Sequence, residues 1–331
     1  MINKCFTLAA RPVGLPKRSD FDYQELPVPP LEMGQILVRN HYISLDPAMR
    51  GWMNAGRSYV PGVEIGAVMR AGTVGEVLVS NHPSFVAGEF VSGVLGVQSH
   101  AVSDGRGLLK VNPQFAPLPK YLSVLGMTGF TAYFGLLDVG QPKPGDTVLV
   151  SAASGAVGAI VGQIAKLKGC RVIGIAGGEA KCDYVVNELG FDGCIDYKRG
   201  PLFPGLAKHC PDGVDVYFDN VGGEILDTVL TRLRRHARVV ICGAIANYNA
   251  TTPPPGPKNY MMLLVSRARM EGFVVFDYET RYPEAIQAMA QWMTEGRLKS
   301  REDIVDGIET FPETLLKLFS GENFGKLVLK V

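Results

Sequence analysis

The chain has 331 residues, which at a usual ~150 per domain makes about two domains, long enough to bury a full core unaided. Its 33 Lys and Arg balance 32 Asp and Glu, and a net charge of +1 excludes both the basic footprint of a nucleic-acid binder and a charged membrane-facing surface. Six scattered cysteines without a CxxC pair exclude a disulfide framework and a structural zinc cluster, while 39 glycines stand well above the usual ~7% share.

The opening MINKCFTLAARPVG lacks an apolar stretch of signal-peptide length, and Arg11, Lys17 and Arg18 follow at once, so a cytoplasmic, reducing location is expected. Up to about residue 120, β-type runs at 35–39, 66–80 and 89–92 are broken by Pro and Gly, the punctuation of a folded-over, mostly antiparallel β domain. From about residue 121 the rhythm changes. Strands are predicted over 147–150, 171–175, 193–196, 214–218, 238–241 and 272–275, alternating with helix-length segments at 156–168, 180–189, 201–209, 224–235 and 259–269. Five right-handed crossovers then give a doubly wound, parallel, six-stranded sheet. After residue 290 come a run at 304–309, a short helix at 312–319 and a closing strand at 326–331. These are expected to rejoin the N-terminal region, giving an α/β chain divided as 1–122 completed by 293–331, and 123–292.

Residues 147–165 carry no charge and approach the ~20 residues of a membrane span. Ser151, Ser154, Gly155, Gly158 and Gln163 divide that run into a strand, a small-residue turn and a helical pattern, so no membrane role is expected. A strand passing through a glycine turn into a helix aims backbone N–H groups and the positive helix end at a phosphate pair. Gly155 would admit a pyrophosphate, and Gly158 and Gly162 would let the helix sit close on the sheet. Ala153 stands where the first glycine of GxGxxG would be, so the strict fingerprint is not met; the six-strand alternation behind the turn is what points to a dinucleotide. NAD enzymes place an acid at the end of the second strand, on the ribose 2′-hydroxyl. Here that end reads Ala176-Gly177-Gly178, with space for a further phosphate, and Lys181 follows as a point charge to pair with it. This favours NADPH. Glu179, if turned inward, would favour NAD instead.

Several motifs occur in one order: Ser44-Leu45-Asp46-Pro47-Ala48-Met49-Arg50-Gly51, Leu125-Gly126-Met127-Thr128-Gly129, Ala152 to Gly158, Phe218-Asp219-Asn220-Val221-Gly222-Gly223, Cys242-Gly243-Ala244-Ile245 and Asn323-Phe324-Gly325-Lys326. In this the chain resembles the zinc-independent medium-chain dehydrogenase/reductases, within them the prostaglandin reductase, 2-alkenal (double-bond) reductase and curcumin reductase group. The resemblance implies a GroES-like, mostly-β N-terminal domain beside a Rossmann domain, and a homodimer. It also implies that Gly155, Ala156, Val157 and Gly158 line the pyrophosphate and that Gly177, Lys181 and Tyr197 hold the phosphorylated adenosine end. Asn220, Cys242, Gly243, Ala244, Ile245 and Tyr248 would border the cofactor, Phe273, Val274 and Val275 would flank the nicotinamide, and Asn323 would reach in from the tail.

The five histidines lack metal-ligand spacing, so no metal is expected. Without a Lewis acid, reduction of an activated C=C bond is less demanding than carbonyl chemistry, because the charge that develops is an enolate that hydrogen-bond donors can hold. In similar enzymes the position of Tyr248 reaches the substrate carbonyl and that of Tyr59 closes the other side of the pocket. The expected function is NADPH-dependent reduction of α,β-unsaturated ketones and aldehydes, with a small-molecule enone or enal as partner. A quinone reductase, or a non-catalytic NADPH-binding protein on the same fold, are the alternatives. Ala48 and Ala246 replace polar residues common in the family, which opens the question of substrate.

Overall fold

The short apolar runs of the N-terminal region form strands in the computed structural model, which describes Met1–Val331. These are β1 (Ile2–Leu8), β2 (Phe21–Pro27), β3 (Ile36–Ser44), β4 (Gly72–Ser80), β5 (Phe90–Val94), β6 (His100–Ser103) and β7 (Leu109–Val111), with helix α1 (Ala48–Trp52) after β3. β1 and β2 make a separate antiparallel pair, while β3, β4, β5 and β7 lie in order in one antiparallel sheet with β6 also on β3. At Gly75 a side chain would collide with the Arg39 carbonyl, so glycine is what lets β4 follow β3 through a register shift.

The chain divides into two compact units, Met1–Ser123 with Glu302–Val331, and Val124–Arg301. The second begins with α2 (Met127–Phe134) and then alternates β8 (Thr147–Ser151), α3 (Gly158–Leu167), β9 (Arg171–Ala176), α4 (Glu179–Asp183), β10 (Gly193–Asp196), α5 (Leu202–His209), β11 (Val214–Asp219), α6 (Gly223–Leu230), β12 (Leu233–Ile241), α7 (Met261–Ser266), β13 (Arg269–Gly272) and α8 (Tyr282–Thr294). All neighbouring strands pair in parallel, in the order β10-β9-β8-β11-β12-β13. This is the doubly wound order, reversing direction between β8 and β11, where such sheets bind ligands at their carboxyl ends. Helices cover both faces, which is why Val148, Leu149, Val150, Val172, Ile173, Val216 and Phe218 are wholly buried and read as unbroken apolar runs.

Three expectations are corrected here. β12 starts at Leu233, not residue 238, because α6 stops at Leu230 and the Arg-rich stretch that follows joins the sheet, with His236 at φ 65° marking an irregular turn within it. β13 lies at Arg269–Gly272 rather than 272–275; it is an exposed edge strand held by backbone pairing, with no buried apolar pattern to reveal it. The preceding helix is correspondingly shorter, ended by Arg267 in the left-handed region at φ 50°.

The tail supplies β14 (Glu302–Asp306), α9 (Phe311–Ser320) and β15 (Lys326–Lys330), and β15 extends the first unit's sheet by pairing antiparallel with β3. Phe311 packs into that unit's core, tilted against Phe6 at 5.3 Å and edge-on to Phe21 at 5.1 Å between ring centroids. The return falls at Glu302 rather than 293, because Lys299 donates its N–H to Gln163 Oε1 at 2.8 Å and accepts from Gln163 Nε2 at 2.9 Å, which fastens the segment after α8 to α3. Lys326, 2% exposed, donates to the Leu45 carbonyl at 2.6 Å and to Asp46 Oδ1 at 2.7 Å, joining the tail to the loop before α1.

Candidate active site

At the end of β8 the chain turns through Ala152, a non-glycine residue at φ 49°, and Gly155 donates its N–H back to the Ala152 carbonyl at 2.9 Å. A side chain on Gly158 would collide with that same carbonyl, so only glycine allows α3 to begin so close to the turn. Ala153 donates its N–H to Ile175 O at 3.0 Å, pinning the turn to β9. Gly155, Ala156, Val157 and Gly158 thus form a tight strand–turn–helix that follows β8, one of the two strands at the sheet's reversal point. This cradle fits a pyrophosphate.

Asp219, the last residue of β11, is a centre that the sequence reading passed over. It is 0% exposed, and its Oδ1 accepts from Ser151 Oγ at 3.0 Å, Tyr217 Oη at 2.7 Å and the N–H groups of Val221 and Gly222, each at 3.0 Å. Its backbone carbonyl accepts from Cys242 and Gly243 at 2.9 and 3.1 Å. One residue therefore ties together the ends of β8, β11 and β12. Beside it, Asn220 Nδ2 donates to the Ser151 carbonyl at 2.8 Å, so the side chain spans the same gap. The spacing of Ser151, Tyr217 and Asp219 at strand ends, ahead of the Gly222-Gly223 pair, was the available signal.

Past β12, residues 242–248 curl back over the strand end. Ile245 and Ala246 donate to the Asn220 and Val221 carbonyls at 3.4 and 3.1 Å. Tyr248 Oη accepts the Ala244 N–H at 3.2 Å, which fixes the ring above Gly243, where an added side chain would come within 3.0 Å of the hydroxyl. Burial, with the negative charge of Asp219, pushes the Cys242 thiol up to about 12, so it stays protonated and acts as a small wall residue.

At the ends of β9 and β10, Gly177 lies under Tyr197, whose hydroxyl would be 2.8 Å from a side chain placed there, with Lys198 alongside. Gly178 is at φ 101° and donates its N–H to Asp196 Oδ1 at 2.8 Å. Lys181 projects from α4. Glu179 is turned outward to Arg199 at 2.5 Å. Phe273, Val274 and Val275 follow β13 directly. The Phe273 ring packs against Gly135 and, at 6.4 Å, against Phe218, so its ring serves the core, while Val274 is extended and Val275 opens the helical turn that leads to α8. In the first unit, Tyr59 is 54% exposed and its hydroxyl accepts from Trp52 Nε1 at 3.2 Å, with the Arg70 guanidinium 5.6 Å from the Trp52 ring. Asn323 donates to the Gly325 carbonyl at 3.1 Å, shaping the bend before β15. No three His, Cys, Asp or Glu side chains converge as a metal-ligand group.

A doubly wound dinucleotide-type unit and a separate β unit in one chain define an oxidoreductase fold. Residues 4–111 match the family described as the N-terminal domain of oxidoreductase, and residues 156–291 match that described as zinc-binding dehydrogenase. The chain is 46% identical to the NADPH-dependent curcumin reductase of Escherichia coli (strain K12), over 99% of this chain and 97% of that protein. It is 42% identical to prostaglandin reductase 1 of Oryctolagus cuniculus, over 98% of this chain and 92% of that protein. The crystal structure of CurA in complex with NADPH from Vibrio vulnificus superposes with a TM-score of 0.95 at 47% identity, covering 99% of each chain. The chain belongs to the zinc-independent medium-chain dehydrogenase/reductases, in the group of curcumin, prostaglandin and 2-alkenal reductases.

Proposed function

We propose that the protein reduces the C=C bond of α,β-unsaturated ketones and aldehydes with NADPH, and that Tyr248 is the donor to the substrate oxygen. The observation that carries this reading is the pairing of a glycine cradle at the sheet's reversal point with a tyrosine hydroxyl fixed over the end of β12. When bound, NADPH supplies a hydride to the β-carbon of the enone. Gly155 to Gly158 receive its pyrophosphate, and Gly177, Lys181 and Tyr197 its phosphorylated ribose. Asn220, Cys242 to Ile245 and Val274 with Val275 wall the nicotinamide end. As electron density moves to the carbonyl oxygen, Tyr248 donates its proton in a hydrogen bond to the forming enolate, a charge that a preorganised donor stabilises more than it stabilises the neutral ketone.

Tyr248→Phe is expected to lower kcat on a simple enone by about 10²-fold, the usual cost of one such donor, with a much smaller change in KM. Unchanged kcat and KM would remove Tyr248 from the chemistry. A protein oxidising NADPH with quinones but not with enones would overturn the substrate assignment.

The protein is also proposed to be a cytoplasmic homodimer. Six free cysteines suit a reducing compartment, and no helix is long and apolar enough to cross a membrane. β13 is an open sheet edge, and α7 beside it exposes Tyr260, Met261, Leu264 (70%) and Val265 (64%), an apolar patch of the kind a second copy covers. Leu264→Glu should convert a dimeric mass in light scattering to a monomeric one; a wild-type monomer would end the proposal.

A further inference from the structure

We propose that Arg199 is a specificity-determining residue that selects the 2′-phosphorylated cofactor by restraining Glu179. The inference rests on the NADPH reading above. Glu179 opens α4, just past Gly177-Gly178 at the end of β9, the region from which NAD-type sites direct a carboxylate at the ribose 2′-hydroxyl. Left to itself, an acid here would compete for that hydroxyl and repel a phosphate attached to it. It is not left to itself. Arg199 Nη2 lies 2.5 Å from Glu179 Oε2, and Arg199 Nε lies 3.5 Å from Asp196 Oδ2.

The remaining oxygen of Asp196 is engaged as well, accepting the N–H groups of Gly178 and Lys198 at 2.8 and 3.0 Å. One guanidinium, whose fork of donors suits two carboxylates at once, therefore neutralises both acids at the ends of β9 and β10. Lys198, which lies alongside Gly177, then sets the sign of the local field. The device acts by removing a repulsive element as much as by adding an attractive one. Glu179 and Arg199 are each about two-thirds exposed, 67% and 66%, so the effect is that of a screened surface pair and is largest at low salt.

The test is titration of the full-length protein with NADPH and with NADH, following quenching of intrinsic fluorescence. Arg199→Ala is expected to lower the preference for NADPH, read as the ratio of the two dissociation constants, by about fivefold, the scale of one partly exposed charge pair. Adding Glu179→Ala to that variant should restore most of the loss, because the acid that Arg199 restrained is then gone. An unchanged ratio in Arg199→Ala would overturn the inference. So would a double variant as poor as the single one, since Arg199 would then be acting on the phosphate directly. A wild-type protein with no preference for NADPH would instead overturn the cofactor reading, and this inference with it. Both side chains lie on the surface, and the melting temperature of each variant separates a loss of fold from a loss of selectivity.

Discussion

A carboxylate shut away from water must find its hydrogen bonds within the protein, and Asp219 finds them in Ser151, Tyr217, Val221 and Gly222. The arrangement is costly to break from either side. Asp219→Ala would leave two hydroxyls and two amides without an acceptor, and unfolding in urea should show a loss of about 3 kcal/mol or more. Asp219→Asn keeps one oxygen in place but sets an NH2 group against a donor, so a smaller loss is expected, about 1–2 kcal/mol, together with weaker NADPH binding because Ser151 and the turn at Val221 and Gly222 are loosened. A stability within about 0.5 kcal/mol of wild type for the alanine variant would show that these bonds contribute little. The family resemblance could propose Tyr248, because its place in the loop after Cys242-Gly243 matches the position that reaches the substrate carbonyl in similar enzymes. Sequence reading could not rank Asp219, because an acid after a run of apolar residues looks the same whether it caps a turn at the surface or sits under three strands.

The elements were most legible where packing on both faces imposes a simple pattern. β8, β9 and β11 are buried above and below, so their apolar runs fix their positions to within a residue or so, and β10, although its burial alternates, was found at its full extent. β13 was misplaced because all four of its residues are exposed and only its backbone partners in β12 define it. The link between Glu179 and Arg199 was out of reach for a related reason: it joins the ends of two strands that are neighbours only once the sheet has formed. Helix–sheet packing offers the test at this scale. A side chain on Gly162 would collide with the Phe191 ring, itself 3% exposed, so Gly162→Ala must push α3 away from that ring or force the ring aside. The expected cost is about 1–3 kcal/mol in chemical denaturation, with part of it recovered in the double variant Gly162→Ala with Phe191→Leu, which shortens the obstructing group. If the double variant is no more stable than the single one, the contact does not limit the packing of α3.

For the molecule as a whole, an enzyme that handles enones handles reagents that add to thiolates, and its own thiols bear on its durability. Burial pushes Cys170 and Cys210 up to about 11 and Cys242 up to about 12, from an ordinary 9.0, and it raises Cys5, Cys182 and Cys194 as well. Tyr133 and Tyr282 are moved in the same direction, from 10.0 to about 12, the first also by its hydrogen bond to Glu284. Each of these groups holds its proton more tightly folded than unfolded. The stability they contribute is therefore complete below pH 9, where both states are protonated, and it drains away as the pH climbs from 9 towards 12 and the unfolded chain ionises first. The melting temperature should hold steady on the alkaline side of neutrality and fall progressively above pH 9, and the rate at which an enone that is not a substrate alkylates the native protein should rise over the same interval. Both follow from the thiols' proton affinity, so they should move together. A melting temperature that stays flat to pH 11, or rapid alkylation at pH 7 that the unfolded chain does not exceed, would show that burial leaves these thiols as reactive as free cysteine.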